Sequence, residues 1–250
     1  MRVISATEAA DLVATAHALA DAARVATLLH FRKDGLTAET KEAERFDPVT
    51  VADRLSEERM REILAQRRPD DAILGEEYGA KAGTSGLTWV LDPIDGTRSY
   101  LCGTPTWGVL VAVGDASGPV FGIIDQPYIG ERFEGGLGRA EVNGPLGRTA
   151  LKARAPRALA EAIVMTTFPE VGTAEEGAAF RRVAGRAKLV RYGTDCYAYA
   201  LIAAGQIDLV IEAAGGIVTD WQGRPAHQGG QILAAANRES HAEALALLNA

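Results

Sequence analysis

Residues 89–100 read WVLDPIDGTRSY, an apolar run that ends in two aspartates three positions apart and passes at once into Gly-Thr. Asp92 and Asp95 could be the ordinary polar stop of a strand, since acidic residues at strand ends are usually solvated or capping. Their setting argues for more. Pro93 restricts the backbone between the acids, so a turn there can aim both carboxylates and the Ile94 carbonyl at one point. Hard oxygen donors gathered in this way suit Mg2+, which takes carboxylates, carbonyls and waters in octahedral order. A neutral substrate would not need such a cluster, whereas a phosphate monoester does, because a cation offsets the repulsion between carboxylates and the phosphate dianion. Gly96 lets the main chain approach closely. N–H groups around Gly96 and Thr97 form a phosphate cradle if a helix or turn starts there, and the Thr97 hydroxyl can orient a water.

Two further acidic groups stand at the ends of predicted elements: LGEEYG, with Glu76 and Glu77, and DPVTVAD, with Asp47 and Asp53. Each alone is more often structural than functional. Taken with Asp92 and Asp95, they point to a metal site. Other chemistries lack their residues: there is no G-x-S-x-G elbow and no G-x-x-x-x-G-K-[ST] loop, and His17, His30, His227 and His241 lack metal-ligand spacing. Those histidines read as surface or helix-packing residues. The glycine-rich EGGLGRAEVNG (134–144) follows no βα start and reads as a loop, not as a dinucleotide fingerprint. A phosphatase with an aspartyl nucleophile carries D-x-D-G-T. Here the acids are three apart, which displaces the second carboxylate from its acid/base position.

The 250-residue chain is 47% hydrophobic, enough for a large core as one big domain or two tightly joined halves. A net charge of −7 without a basic run argues against a nucleic-acid partner. Cys102 and Cys196 are too few for a disulfide framework and fit a reducing, cytoplasmic setting. The alanine-rich N-terminus is interrupted by Glu8, Asp11, Asp21 and Arg24, unlike a signal peptide, and no segment approaches the roughly 18 apolar residues of a membrane span. A soluble protein with no membrane partner is expected.

Ser5 and Glu8 have capping-box spacing, and Leu12, Val13, Ala16, Leu19, Ala20 and Ala23 then recur at helical intervals, predicting a long first helix. A second helix is predicted from about Asp53 to Arg67, ended by Pro69. Strand-like runs follow at AILG (72–75), TWVLD (88–92), WGVLVAVGD (107–115) and PVFGIID (119–125), the last two joined as a hairpin. After about residue 155 the pattern alternates: strand AIVMTTF, helix 174–187, strand KLVRYG, helix 195–204, strands IDLVIE, GIVTDW and ILAAAN, and a terminal helix from Ser240. The expected class is α/β, with an α+β metal-binding half over residues 1–150 and an α/β half over 151–250 that completes the substrate site.

GEE upstream of WVLDPIDGT, with the later AGGIVTDWQGRP, resembles the inositol monophosphatase family of Mg2+-dependent phosphatases over nearly the whole chain. DPIDGTRSYLCGTPTWG and RYGTDCYAYALIAAGQIDLVIEA look most like its histidinol-phosphate phosphatase branch, with Arg98 replacing the residue of typical inositol phosphatases. The resemblance implies a layered α-β-α-β-α sandwich, a homodimer, a small phosphorylated substrate and two or three Mg2+ ions per site. It places Glu76, Asp92, the Ile94 carbonyl and Asp95 as metal ligands, and Asp53 and Thr97 as the pair that activates the attacking water; Glu76 counts with them as catalytic. Gly96 and Thr97 would hold phosphate, and Gly193, Thr194, Asp195 and Glu212 would line the alcohol side. Histidinol phosphate is the implied substrate, with inositol phosphate or a range of sugar phosphates as the alternative.

One departure stands out. The family places an aromatic-Asp pair and a helix a few residues after the position of Glu212, and that Asp completes the metal site. Here IDLVIEA runs straight into AGGIVTDW, and Asp220 falls after the Gly-Gly pair, where the family has a strand end. Either a segment of roughly twenty residues belongs to the protein and is absent from this sequence, or the chain lacks it. The first is favoured, since deleting a helix between two core strands would expose apolar surface and remove a ligand. A true deletion predicts an impaired or non-catalytic metal-binding relative. A measured mass about two kilodaltons above that of the sequence would distinguish the two, at ~110 Da per residue.

Overall fold

A computed structural model describes residues 3–40, 48–168, 170, 172–212, 220, 222 and 232–250. The chain divides into two compact units, Met1–Ala150 and Leu151–Ala250.

The first unit opens with α1 (Ala6–His30), where the Ser5 hydroxyl accepts from the Glu8 N–H at 3.2 Å. Leu12, Val13, Ala16, Leu19, Ala20 and Ala23 form its buried stripe. Contrary to the sequence expectation, α1 is long and apolar enough to cross a membrane by length and composition. Its many alanines and sparse charges produce that apolarity. Half of its most apolar window is buried inside the protein, and the buried stripe packs with Trp89, Leu91, Val111 and Phe121 as a core helix does. Strands β1 (Ala38–Thr40) and β2 (Pro48–Thr50) pair antiparallel and lead into α2 (Val51–Arg67), which starts at Thr50.

Eight strands then build one sheet: β3 (Ala72–Gly75), β4 (Gly79–Lys81), β5 (Thr88–Asp95), β6 (Gly108–Asp115), β7 (Gly118–Gln126), β8 (Glu131–Gly136), β9 (Arg139–Gly144) and β10 (Gly147–Ala150), with α3 (Thr97–Leu101) between β5 and β6. Their order is β10-β9-β8-β7-β6-β5-β3-β4, and β3 with β5 is the one parallel pair among the described strands of this sheet. Trp89 and Leu91 of β5 and Val109, Val111 and Val113 of β6 alternate into the core, the period that a half-buried sheet requires.

EGGLGRAEVNG is not a loop: it supplies the end of β8, the turn after it and all of β9. Leu137 (φ 49) and Gly138 (φ 79) are both left-handed, as a two-residue hairpin turn with the twist of its strands demands. Gly136, one of the glycines that imitate a loop, serves close approach instead. A Cβ on Gly136 would stand 2.1 Å from the Val120 carbonyl oxygen.

The second unit holds a single 3-10 turn (Leu159–Glu161), β11 (Ile163–Thr166), α4 (Ala174–Ala184), β12 (Leu189–Tyr192), α5 (Tyr197–Ala203), β13 (Leu209–Glu212), β14 (Ile232–Ala235) and α6 (Arg238–Leu248). Its sheet runs β12-β11-β13-β14, parallel except at β14, with Val164, Leu209, Ile211 and Leu233 packed against Phe180, Val183 and Ala244 of α4 and α6. The last helix starts two residues before Ser240, because Asn237 caps it by accepting from the Ser240 N–H at 2.9 Å. The strand expected over GIVTDW lies outside the described residues except at Asp220, as do Asp47 and His227.

Candidate functional site

In a regular strand, residues three apart face opposite sides, so Asp92 and Asp95 would diverge. The pairing of β5 with β6 prevents this. Asp92 lies opposite Leu110 and Asp95 opposite Gly108, three steps on one strand against two on the other. The extra residue is a bulge, and it returns Asp95 to the face of Asp92. Asp92 Oδ1 accepts from the Ile94 N–H at 3.1 Å and braces the bulge. Gly96 follows at φ 88, a left-handed conformation that a side chain would resist, and turns the chain into α3. No side chain caps the start of that short helix.

Glu76 is delivered by the parallel pair. Gly75 lies beside Leu91, so the next residue on each strand brings Glu76 beside Asp92, and the Glu76 N–H donates to the Leu91 carbonyl at 3.1 Å. Asp53 comes from the first turn of α2, as the reciprocal partner in a capping box. Its Oδ2 accepts from the Thr50 N–H at 2.8 Å and from the Thr50 hydroxyl at 2.6 Å. Among the described residues, its Oδ1 is buried without a hydrogen-bond partner. The Thr97 hydroxyl donates to the Ile94 carbonyl at 3.1 Å.

Charge follows from this crowding. Enclosure by protein raises the Asp92 pKa well above the carboxylate range, and the charges of Glu76 and Asp95, a hydrogen bond shared with Glu76 and the charge of Asp53 raise it further. Burial also raises Asp53, against the hydrogen bonds from Thr50 that favour its charged form, and Glu76 adds to the rise. Four carboxyl groups expected from the sequence are thus electrostatic neighbours. Among the described residues, no three His, Cys, Asp or Glu side chains converge as a closed metal cage. The donor chemistry fits a hard dication all the same: crowded carboxyls, an unsatisfied buried oxygen and a main-chain carbonyl with a second lone pair.

In the second unit, three of the residues expected to meet substrate, Gly193, Thr194 and Glu212, bond at the end of β11. The Gly193 N–H donates to the Thr166 carbonyl at 3.2 Å, and the Thr194 hydroxyl donates to the Met165 sulfur at 3.4 Å. Asp195 holds φ 44, an uncommon conformation for a residue with a side chain. Glu212 accepts from the Thr167 N–H at 2.7 Å and hydroxyl at 3.0 Å and from the Thr166 hydroxyl at 3.4 Å.

Sequence reasoning passed over Glu57, a fully buried carboxylate one helical turn after Asp53. The four-residue spacing on α2 was the available signal. A separate cleft of about 580 Å3, lined by His17, Arg24, Arg132, Glu134 and Arg139 among others, has its arginines answered within the protein. Arg24 and Arg132 meet Asp125, and Arg139 meets Glu134.

The model of the inositol monophosphatase family matches residues 8–213. The chain is 38% identical to the bifunctional phosphatase IMPL2, chloroplastic, of Arabidopsis thaliana, over 88% of this chain and 67% of that protein. It is 33% identical to the histidinol-phosphatase of Streptomyces coelicolor, over 96% of this chain and 97% of that protein. The solved inositol monophosphatase from Zymomonas mobilis superposes with a TM-score of 0.84 at 34% identity, over 98% of this chain and all of that one. The family match stops at residue 213, where the departure after Glu212 begins; residues 213–219 lie outside the described residues. The alignment with the Streptomyces protein runs over 267 residues while using 96% of this 250-residue chain, so that relative carries residues with no counterpart here.

Proposed function

This chain belongs to the inositol monophosphatase family, and we propose from that premise that it is a Mg2+-dependent phosphatase that hydrolyses histidinol phosphate to histidinol, a step of histidine biosynthesis. One observation carries the metal reading: Asp92 is raised by enclosure and by the carboxyl groups of Glu76, Asp95 and Asp53, a crowding of like charge that calls for a cation. The likeness to a histidinol-phosphatase along nearly the whole of both chains supports the substrate.

Glu76, Asp92, Asp95 and the Ile94 carbonyl would hold the metal, as two or three ions. When bound, it would neutralise phosphate charge and make a coordinated water more acidic. Asp53 would accept a hydrogen bond from the attacking water, which the Thr97 hydroxyl would orient, and its buried Oδ1, without a partner among the described residues, supports that role. Main-chain N–H groups at Gly96 and Thr97 would receive phosphate. Gly193, Thr194, Asp195 and Glu212 would meet the alcohol, and the Asp195 carboxylate suits a cationic one. A cytoplasmic homodimer completes the reading.

Phosphate release from histidinol phosphate and inositol phosphate, with Mg2+ and with chelator, tests it. A higher kcat/KM for histidinol phosphate that vanishes with chelator is expected. Activity undiminished by chelator rejects the metal, and preference for inositol phosphate rejects the substrate. The stop of the family match at residue 213 favours one second reading, an impaired relative that binds Mg2+ but turns over little. Mg2+ binding without phosphate release from either substrate would select it.

A further inference from the structure

We propose that Glu57 is a positioning residue that holds Glu76 at the metal site. This rests on the reading of Glu76 as a ligand. Glu57 is fully buried on α2, four residues after Asp53. Its Oε2 accepts from the Glu77 N–H at 2.6 Å and its Oε1 from the Tyr78 N–H at 3.2 Å, the two main-chain donors that follow Glu76. Arg61, one turn further along α2, donates to Glu57 Oε1 at 2.7 Å and also to the Gly79 carbonyl, and its guanidinium lies 5.9 Å from the centre of the Tyr78 ring.

Gly75 on the other side leaves room for this latch. A Cβ there would stand 1.9 Å from Glu57 Oε1 and 2.8 Å from an Arg61 nitrogen. Glu76 is therefore gripped from both flanks: its own N–H is tied to Leu91 of β5, and the next two N–H groups are tied to α2. The helix that carries Asp53 thus also sets the place of Glu76, so the water-activating group and a metal ligand share one rigid support.

The test is Glu57→Gln in the full chain. Gln keeps the size but offers one acceptor oxygen, and its NH2 would face main-chain donors. Mg2+ affinity by calorimetry should weaken about 10–100-fold, the range for partners that orient ligands. Amide exchange at Glu77 and Tyr78 should quicken, and kcat should recover at saturating Mg2+. Asp71→Asn, which breaks an ion pair elsewhere in this unit, supplies a destabilised control that should keep its Mg2+ affinity. If Glu57→Gln does not fold, Arg61→Lys decides: it removes the fork that joins Glu57 to Gly79 and should weaken Mg2+ binding measurably. Affinity within twofold of wild type in the folded Gln variant, or in the Lys variant in its place, overturns the proposal. A wild-type protein that binds no Mg2+ overturns it together with the metal reading, whereas equal binding by wild type and variant overturns the positioning role alone.

Discussion

Asp92→Asn removes one charge from the most crowded point of the carboxyl cluster while keeping the side chain's size and the Oδ1 that accepts from Ile94. Asp92 and Glu76 share a hydrogen bond, and two carboxylates at such contact repel by ~4 kcal/mol at an effective dielectric of about 20. Water reaching the half-buried group discounts this to about 1–3 kcal/mol. The folded-state pKa of Asp92 lies above its ordinary value of 3.8, so stability from this group is full below that value and is lost as pH rises through the folded pKa. The Asn variant has no such loss. In chelator it should match wild type near pH 4 and exceed it at pH 8, by about 2–12 °C in Tm at roughly 2–4 °C per kcal/mol. Mg2+ should close most of this gap or reverse it, since wild type gains ~2.7 kcal/mol at a hundredfold excess over Kd and a variant lacking a ligand gains far less. Thermal melts followed by circular dichroism at both pH values, with EDTA and with Mg2+, measure all of this. A variant less stable than wild type in chelator at pH 8, or equal stabilisation of both proteins by Mg2+, would refute the reasoning.

Gly96→Ala must place a Cβ at φ 88, which costs about 1–2 kcal/mol and should lower both Tm and phosphate release. Asp71→Asn weakens the Asp71 contacts with Arg68 at 2.7 Å and with the Trp89 ring N–H at 2.9 Å and should cost about 1.5–3 kcal/mol by urea titration. Burial alone would raise Asp71, but Arg68, Ser85 and Trp89 hold it below 3.8, so that stability is present above 3.8 and the difference from wild type should shrink as pH falls through the folded pKa. Asp195→Asn keeps a residue type that tolerates φ 44 and removes the charge; KM for histidinol phosphate should rise about tenfold or more with Tm nearly unchanged, and an unchanged KM would remove Asp195 from the substrate site.

How much the sequence revealed depends on whether a feature is local. The Ser5 cap, the stripe of α1 and the strands AILG and PVFGIID each follow from residues within a few positions of one another, and all could be read directly. The convergence of Asp92 and Asp95 is expected from a turn at Pro93, but β5 runs on through Pro93, and the two acids share a face through a register shift against β6 that no spacing within β5 reveals. The hairpin over EGGLGRAEVNG was hidden for a related reason. Its glycines weaken strand propensity, and the close approach of β7 that requires Gly136 is made by a partner strand. The spacing of Glu57 from Asp53 marks it on α2, but its bonds to the Glu77 and Tyr78 amides, twenty and twenty-one residues along the chain, leave no trace in the side chains of those residues.

Glu212 marks the opposite limit, where a residue's type suggests more than its surroundings leave it free to do. As an acid at the end of a strand near GTD, it resembles a substrate contact. Its carboxylate takes two hydrogen bonds from Thr167 and a longer one from Thr166, tying the end of β13 to the end of β11, its parallel neighbour. Those three bonds engage most of the roughly four lone-pair positions that a carboxylate offers. A substrate hydroxyl or amine reaching Glu212 must therefore compete with Thr166 and Thr167, and Glu212→Gln should change Tm at least as much as it changes KM. A large rise in KM with Tm unmoved would show that the tie is incidental and the substrate contact is its main work.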